Sequence, residues 1–281
     1  MGEGSNQNSD YAMGGDAAEL QRLTLQHQLL KQEMGDALVF APVDFSNAGL
    51  RVFDSGCADG TWLRDLRSEI SGGNLAQFVG IDIQPSFFPS DSPPWLQLHN
   101  HPMQQEFSAE WTGMFDLVHM RYGLIAAAES GPEKVIANLA TLLKSGGWMQ
   151  LVEADWTDTS GCGPALAEAF GLFAWTFEGM GIGADFAKKI RDWMSGSSLQ
   201  NVSEKVFTVH IGTQNPTAEL GLIGTDVLCR STLSMIKFAS SSAPASSSSE
   251  RLSTLVSRLE EELSTQGGSF KLRAVWGQNG S

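Results

Sequence analysis

The chain has 281 residues, of which 42% are hydrophobic, and a formal net charge of −14. Lysine and arginine number 18 against 32 acidic residues, so we expect no nucleic-acid partner and no binding to an anionic membrane. The three cysteines form no CxxC pair, which argues against a disulfide framework or a structural metal site, and no apolar run is long enough to span a bilayer. These features favour a cytoplasmic protein that acts on a small molecule, as a monomer or a homodimer.

The first segments in chain order are a tail and a helix. Residues 1–15 are polar and Gly-rich, lack the apolar stretch of a signal peptide, and predict a flexible tail. A helix is predicted over residues 16–34, where Gly35 ends it. Its apolar stripe, spaced by three and four residues, is Leu20, Leu23, His27, Leu30 and Met34. A histidine on such a stripe is more often a core residue, although a helix that closes over a ligand could use it for binding.

Strands and helices then alternate along the chain. The predicted strands cover residues 50–54, 78–83, 95–98, 114–119 and 148–153, with helices at 61–69 and 132–143. This alternation predicts parallel strands joined by helical crossovers. After residue 155 the pattern changes to helices at 163–194, 217–239 and 250–265, strands at 202–211 and 270–276, and a Ser-rich loop at 240–249.

A turn that is rich in small residues follows the first strand. It reads DSGCADG from Asp54 to Gly60, and its glycines allow a ligand to lie against the backbone at the start of the next helix. Ala58 stands where a middle glycine is usual. Asp82 ends the second strand, where a carboxylate can accept both hydroxyls of a ribose. The pattern indicates an adenosyl ligand, whereas the alternative is a tight turn with Asp82 capping the next segment.

Four segments together carry a family resemblance. VFDSGCADGTW, FVGIDIQP, FDLVHMRYGL and LLKSGGWMQLVEAD resemble class I methyltransferases that depend on S-adenosylmethionine (SAM), and more narrowly the fungal LaeA-like group of secondary metabolism. Residues 19–30 resemble that group's N-terminal helix, and residues 271–277 its final strand. The likeness is good over residues 17–155 and loose beyond. It implies a Rossmann-like α/β fold with seven mostly parallel strands, the last of them antiparallel.

The resemblance also implies which residues bind SAM. In chain order they are Asp54, Gly56, Ala58, Gly60, Asp82, Ile83, Asn100, Met103, His119 and Arg121. The first four would surround the methionine part, Asp82 would hold the ribose, and the segment from Asn100 to Met103 would flank the adenine. Pro102 stands where the family often has an aspartate that accepts from the adenine amino group. Asn100 or a backbone carbonyl would have to replace it.

Candidate catalytic groups lie at the ends of the fourth and fifth strands. His119 is a candidate general base, and its alternative role is a hydrogen bond that shapes the pocket. Arg121 could pair with the SAM carboxylate or with Glu153. Strand alternation puts Glu153 and Asp155 on one face, where either could orient a substrate or accept a proton. The alternative for Asp155 is to cap the next segment.

The C-terminal part carries aromatic residues that do not form one helical stripe: Phe170, Phe173, Trp175, Phe177 and Trp193. We interpret residues 163–196 and 217–240 as helical lid insertions over an apolar pocket, within a single methyltransferase domain of residues 16–281. The alternative is ordinary packing of these helices on the core.

The sequence therefore predicts SAM-dependent methylation of a small, rather apolar metabolite, with S-adenosylhomocysteine (SAH) as product. Oxygen, nitrogen and sulfur acceptors all stay open. One alternative is an enzyme of the same fold that catalyses a cyclisation or pericyclic step without methyl transfer, which Ala58 and Pro102 would suit. The other is a regulatory protein that binds a partner, as the namesake of the LaeA-like group is understood to be.

Overall fold

The computed structural model describes residues 17–70, 75–197, 199–242 and 249–280. The predicted tail at 1–15 and most of the predicted Ser-rich loop lie outside these ranges. Among the described residues, no helix combines the length and the apolar character that crossing a lipid bilayer requires.

Seven strands form one sheet. They are β1 (Arg51–Ser55), β2 (Gln77–Asp82), β3 (Leu96–Asn100), β4 (Phe115–Arg121), β5 (Leu143–Asp155), β6 (Leu199–Ile211) and β7 (Gly268–Asn279). The spatial order is β3-β2-β1-β4-β5-β7-β6. Strands β1 to β5 pair in parallel, and β7 runs antiparallel between β5 and β6. The predicted sheet, including its antiparallel last strand, is confirmed.

Seven α-helices accompany the sheet within the described ranges. They are α1 (Ala17–Glu33), α2 (Thr61–Glu69), α3 (Pro132–Ala140), α4 (Pro164–Gly179), α5 (Phe186–Gly196), α6 (Ala218–Ser242) and α7 (Ser249–Thr265). Helix α1 contacts α6, α2 and β6, and β6 is the strand at one edge of the sheet.

Neighbouring residues of the central strands enter different hydrophobic cores. Val52 and Leu117 belong to the core that contains the apolar face of α2. Phe53 and Val118, one position along, belong to the larger core on the opposite face. All four side chains are fully buried. This is why the strands read as continuous apolar runs rather than as an alternating pattern.

Two segments differ from their predicted structure. The predicted helix at 132–143 ends at Ala140, and the turn predicted at 144–147 lies inside β5. The pairing of β4 with β5 shifts register between Phe115 and Leu117, and this irregularity accommodates the extra residues. The predicted helix at 163–194 is broken into α4 and α5, because Gly181 takes a left-handed conformation, φ 87°, that ends α4.

The strand order reverses between β1 and β4. In parallel sheets the carboxyl ends of the strands meet at one edge, and ligands bind where the order reverses. The turn after β1, Asp82 at the end of β2 and Arg121 at the end of β4 therefore lie at the same edge.

Candidate active site

The turn between β1 and α2 has an unusual backbone. Gly56, Ala58 and Gly60 all have positive φ, at 73°, 48° and 81°. The backbone N–H groups of Gly56 and Cys57 both donate to the carbonyl of Ile81, at 2.8 and 2.9 Å, which draws the turn over the end of β2. A methyl group added to Gly56 would meet no atom within 4 Å, so its backbone borders open space that a ligand can enter.

Asp82 ties this turn to β2. Its Oδ2 accepts from the backbone N–H of Ala58 at 2.8 Å, and its Oδ1 accepts from that of Gln84 at 2.9 Å. The N–H of Ile83 also hydrogen-bonds the carboxyl group, and burial raises the pKa of Asp82. A carboxylate has about four acceptor sites, so three backbone bonds leave about one site for a ribose hydroxyl. The bond to Ala58 also explains what its strained backbone achieves, since it aims the N–H at Asp82.

The segment predicted to flank the adenine begins at the end of β3. The Nδ2 of Asn100 donates to the backbone carbonyl of Asp82 at 3.0 Å, which leaves Oδ1 as an acceptor. The backbone carbonyl of Met103 already accepts from Asn138 at 3.0 Å, and that of Pro102 accepts from Gln105 at 3.1 Å. Of the two predicted replacements for the missing aspartate, the Asn100 side chain is therefore the better placed.

His119 is held from two sides. Its Nδ1 lies 2.8 Å from Oδ1 of Asp54, and its ring stacks on Trp62 with centroids 3.7 Å apart and planes 2° from parallel. Burial lowers the pKa of His119 although the charge of Asp54 opposes this, and only 1% of the residue is exposed. This packing favours the pocket-shaping alternative over a general base, and the base role stays a prediction.

Within the protein, Arg121 contacts His27 and not the predicted Glu153, while its pairing with the SAM carboxylate stays a prediction. Its Nη2 donates to Nδ1 of His27 at 3.0 Å, and Nε2 of that ring lies 2.8 Å from Asp65 on α2. No ion pair joins Arg121 to Glu153, although the structure describes both residues. The Nη1 atom of Arg121 is buried and has no hydrogen-bond partner. Helix α1 thus brings His27 to the strand edge, as its stripe position allowed.

Glu153 and Asp155 lie two residues apart on β5, and their carboxyl groups differ in pKa. Oε1 of Glu153 accepts from the backbone N–H of Leu124 at 2.9 Å, and burial raises the pKa of this carboxyl to about 8. Burial acts in the same direction on Asp155, but hydrogen bonds from Thr157 and Arg273 lower the pKa of Asp155 overall. At neutral pH, Glu153 is largely protonated and Asp155 is ionised. The bonds to Thr157 support the capping alternative for Asp155.

An aromatic cluster that the sequence reading missed lies beyond β5. Trp156 contacts Phe170 and Phe173 edge-on, with centroids 5.2 and 4.8 Å apart, and stacks on Phe270 at 5.8 Å. Tyr122, which has a left-handed backbone at φ 55°, stacks on the same indole at 6.4 Å. One feature of the sequence indicates this cluster. Tyr122 and Trp156 each directly follow the end of a strand that bears candidate site residues.

The aromatic residues of the predicted lid divide into two groups. Phe170, Phe173 and Phe177 are buried in the main core, as ordinary packing would have them. Trp175, by contrast, is 57% exposed. Movement of these helices over a substrate stays a prediction.

Helix α1 holds a second buried polar group that was missed. Arg22 and Glu19, three residues apart, form a buried ion pair at 2.7 Å, and Nη1 of Arg22 also donates to Ser231 on α6 at 3.3 Å. Their spacing of three residues is the available sequence signal. The pair lies near the strand edge, since its arginine acts on the pKa of Tyr122.

A cavity of about 400 Å³ lies elsewhere, near the amino ends of β4 and β5, where Gly113, Leu143 and Asn279 line it. Parallel sheets bind their ligands at the opposite edge. The candidate site is therefore defined by the polar side chains at the carboxyl ends of the strands and not by this cavity.

The residues present fit an adenosyl amino acid such as SAM. Among the buried polar atoms without a partner in the described protein, two lie at the ends of the neighbouring strands β1 and β4: Oγ of Ser55 and Nη1 of Arg121. Buried polar groups in folded proteins are nearly always hydrogen-bonded, so these two atoms indicate a polar ligand. A guanidinium with a free N–H suits a carboxylate, and the open flank of Gly56 leaves room for the chain that carries it.

Comparison with known families agrees with this chemistry. Residues 25–206, well over half of the chain, match the model of a family described as a methyltransferase domain. The chain is 35% identical to methyltransferase psoC of Aspergillus fumigatus over 270 residues, which are 94% of this chain and 95% of that protein. It is 30% identical to N-methyltransferase sirN of Leptosphaeria maculans over 96% of this chain and 95% of that protein.

A solved structure shares the fold. Phosphoethanolamine N-methyltransferase 2 of Haemonchus contortus, in complex with SAH and phosphomonomethylethanolamine, superposes with a TM-score of 0.51 at 15% identity. The match covers 93% of this chain and 52% of that one, so this chain spans about half the length of that protein. The likeness confirms the predicted Rossmann-like methyltransferase fold.

Proposed function

The chain belongs to the methyltransferase domain family and is a SAM-dependent methyltransferase, and from this premise we propose that its acceptor is a nitrogen atom of a small, rather apolar metabolite. The relative sirN is named an N-methyltransferase, which supports nitrogen over oxygen or sulfur. The observation that carries the proposal is the buried carboxyl of Glu153, whose pKa of about 8 suits the removal of a proton from nitrogen.

Bound SAM supplies a methyl group on a positively charged sulfur. In the proposed site Arg121 binds its carboxylate, Asp82 and the neighbouring Ile83 hold the ribose, and Asn100 accepts from the adenine. The turn from Asp54 to Gly60 carries the methionine part, with His119 supporting Asp54. Met103, the last residue of the segment that flanks the adenine, is buried in the main core. These groups align the reacting atoms, which is the main demand of a direct methyl transfer.

The acceptor would bind on the side of β5. The cluster around Trp156 supplies an apolar wall, and the carboxyl of Glu153 lies close enough to Tyr122 of this cluster to add to the effect of burial, which raises the pKa of that tyrosine. When a nitrogen–carbon bond forms, the nitrogen loses its proton, and the ionised fraction of Glu153 accepts it. Asp155 stays paired with Arg273 and is not free for this task.

The finer predictions stay part of this proposal. They are membership of the LaeA-like group, a role in fungal secondary metabolism, a cytoplasmic location, a single domain with helical lids, and a monomer or homodimer that binds neither nucleic acid nor membrane. The names of the relatives support methyl transfer over cyclisation or partner-binding regulation.

The test uses matched acceptors. The purified chain is incubated with SAM and with pairs of apolar metabolites that differ only by N–H or O–H at the acceptor position, and products are read by mass spectrometry. We expect one methyl group to be added to the N–H member and SAH to be released in equal amount. Methylation of the O–H member alone would exclude the nitrogen acceptor.

A further inference from the structure

His27 connects three separate elements at the strand edge. It lies on α1, its Nδ1 is 3.0 Å from Nη2 of Arg121 at the end of β4, and its Nε2 is 2.8 Å from Oδ2 of Asp65 on α2. Lys31, one turn further along α1, contacts both oxygens of the same aspartate at 2.9 Å. His27 is 7% exposed, so these contacts are shielded from water.

The partners determine the tautomer of His27. A guanidinium has donors only, so Nδ1 must accept from Arg121 and carries no proton. The ring proton therefore lies on Nε2 and is donated to Asp65. Burial and the neighbouring charge of Arg121 lower the pKa of His27 to about 4, in agreement with a neutral ring. The ring thus accepts from one side and donates on the other, as a relay between α2 and β4.

With His27 bound, only one of the two terminal nitrogens of the Arg121 guanidinium has a partner within the described protein. Nη2 is bound to His27, whereas the buried Nη1 has no partner. None of the ion pairs among the described residues includes Arg121, so its charge is not matched by a contacting carboxylate. A planar guanidinium held by one nitrogen presents the other in a fixed direction, which is what recognition of a carboxylate requires.

We propose that His27 is a positioning residue: from α1 it holds the guanidinium of Arg121 so that the free nitrogen binds the carboxylate of the SAM methionine part. The inference rests on the proposed SAM site. It gives α1 a defined task in cofactor binding, because the helix supplies the group that orients a residue of the sheet. A leucine at this position would keep the apolar stripe but would not accept from Arg121.

A competing explanation is that His27 only fastens α1 to the protein. The chain offers a matched control for it, since α1 is fastened elsewhere by a second histidine. Glu33 accepts from the backbone N–H of His210 at 2.9 Å and lies 3.1 Å from Nδ1 of its ring. That contact joins α1 to β6 and does not involve Arg121. Loss of the His210 ring loosens α1 without disturbing the relay.

The experiment compares two ligands by calorimetry. SAH carries the methionine carboxylate, whereas 5′-methylthioadenosine has the same nucleoside and sulfur but no amino-acid part. For His27→Ala we expect SAH binding to weaken about tenfold and methylthioadenosine binding to change by less than about twofold, because only the carboxylate contact is affected. Arg121→Ala should weaken SAH binding at least as much as His27→Ala does. The variant that combines both substitutions should bind SAH no more weakly than Arg121→Ala alone.

Two further variants keep the test decisive if His27→Ala folds poorly. His27→Gln retains an acceptor and a donor in one side chain and should restore most of the SAH affinity. Asp65→Ala removes the carboxylate that accepts from Nε2 of His27, at a partly exposed position. We expect SAH binding to weaken about threefold and methylthioadenosine binding to stay unchanged. His210→Ala should leave both affinities as they are.

Each result has a single meaning. Equal weakening of both ligands in His27→Ala, or the same loss in His210→Ala, would overturn the positioning role and leave His27 as a fastening of α1. A wild-type chain that binds neither ligand would overturn the proposed SAM site itself. A wild-type chain that binds SAH, with variants that change nothing, would remove only the inference about His27.

Discussion

The two sides of the site are built by different means. On the side of β1, β2 and β4, hydrogen bonds between the ends of neighbouring strands hold the polar groups, as between Asp82 and Ala58 or between Asp54 and His119. On the side of β5, residues that are distant in sequence form an aromatic wall around Trp156, with Phe270 on the last strand. The first side depends on directed hydrogen bonds between neighbouring strands, and the second on apolar packing.

This difference has a functional logic. The methyl donor is SAM, so the proposed donor side needs one fixed set of hydrogen bonds. On the proposed acceptor side, apolar side chains of the wall can be exchanged without disturbing those hydrogen bonds. Glu153 lies where the two sides meet, since it is bonded to the backbone after β4 and lies on β5.

The largest expected effect comes from removing part of the wall. Phe170 is fully buried and contacts Trp156, so Phe170→Ala should lower the free energy of unfolding by about 3–5 kcal/mol. Trp175→Ala on the same helix is the control, because that side chain is largely exposed and should cost less than about 0.5 kcal/mol. Denaturant titration measures both, and similar losses in the two variants would contradict the packing described for α4.

The next effect concerns the carboxyl at the junction. With a pKa of about 8, Glu153 gains its charged form as pH rises, so kcat/KM for a nitrogen acceptor should increase about tenfold per pH unit below pH 8 and then level off. Glu153→Gln should lower kcat by about 10² and remove the rise. Asp155→Asn, two residues away, should keep the shape of the profile. An unchanged profile in the Gln variant would exclude Glu153 as the base.

The same carboxyl makes a prediction about stability. Its pKa is about 8 when folded and 4.5 in its ordinary state, so unfolding releases a proton between these values. The stability that this group contributes is fully present below about pH 4.5 and is lost as pH rises to about 8. Relative to Glu153→Gln, the wild-type chain should therefore become less stable across this window in thermal melts. A parallel course of the two curves would mean that the carboxyl is not buried.

A smaller effect is expected on the cofactor side. Asp82→Ala should weaken SAM binding at least about tenfold, or ~1.4 kcal/mol, because the ribose loses its acceptor and the turn loses the bond to Ala58. Calorimetry with SAM measures the change. The Asp82→Asn variant keeps one acceptor oxygen, so its affinity for SAM should lie between those of the wild type and Asp82→Ala. Unchanged affinity in the Ala variant would place the ribose elsewhere.

The last prediction tests the backbone of the turn. Ala58 and Gly60 share the left-handed conformation, so exchanging their residue types should act in opposite directions. Ala58→Gly should stabilise the chain by about 0.5–1 kcal/mol, and Gly60→Ala should destabilise it by about 1–2 kcal/mol. Differential scanning calorimetry resolves such shifts. A destabilised Ala58→Gly variant would show that the alanine methyl group has a packing role.

Most of the fold could be read from the sequence because its signals are local. Helix α2 has the predicted boundaries, 61–69, since a glycine turn begins it and its apolar face repeats at helical spacing. The break between α4 and α5 was missed because apolar residues continue through it. The extension of β5 over residues 144–147 was missed because its glycines read as a turn. Side chains of β7 bind this segment: Gln278 donates to the carbonyl of Gly146, and Asn279 donates to that of Lys144.

For the site, the sequence by itself determined which residues end the parallel strands, because hydrophobic runs and their polar ends are consecutive in the chain. It left open what each of them contacts. Only the tertiary structure decided that Arg121 is held by His27 and not by Glu153, and that His119 is enclosed by Asp54 and Trp62. These pairs join elements far apart in sequence, and the burial that sets the charge of Glu153 exists only once the helices have packed over the sheet.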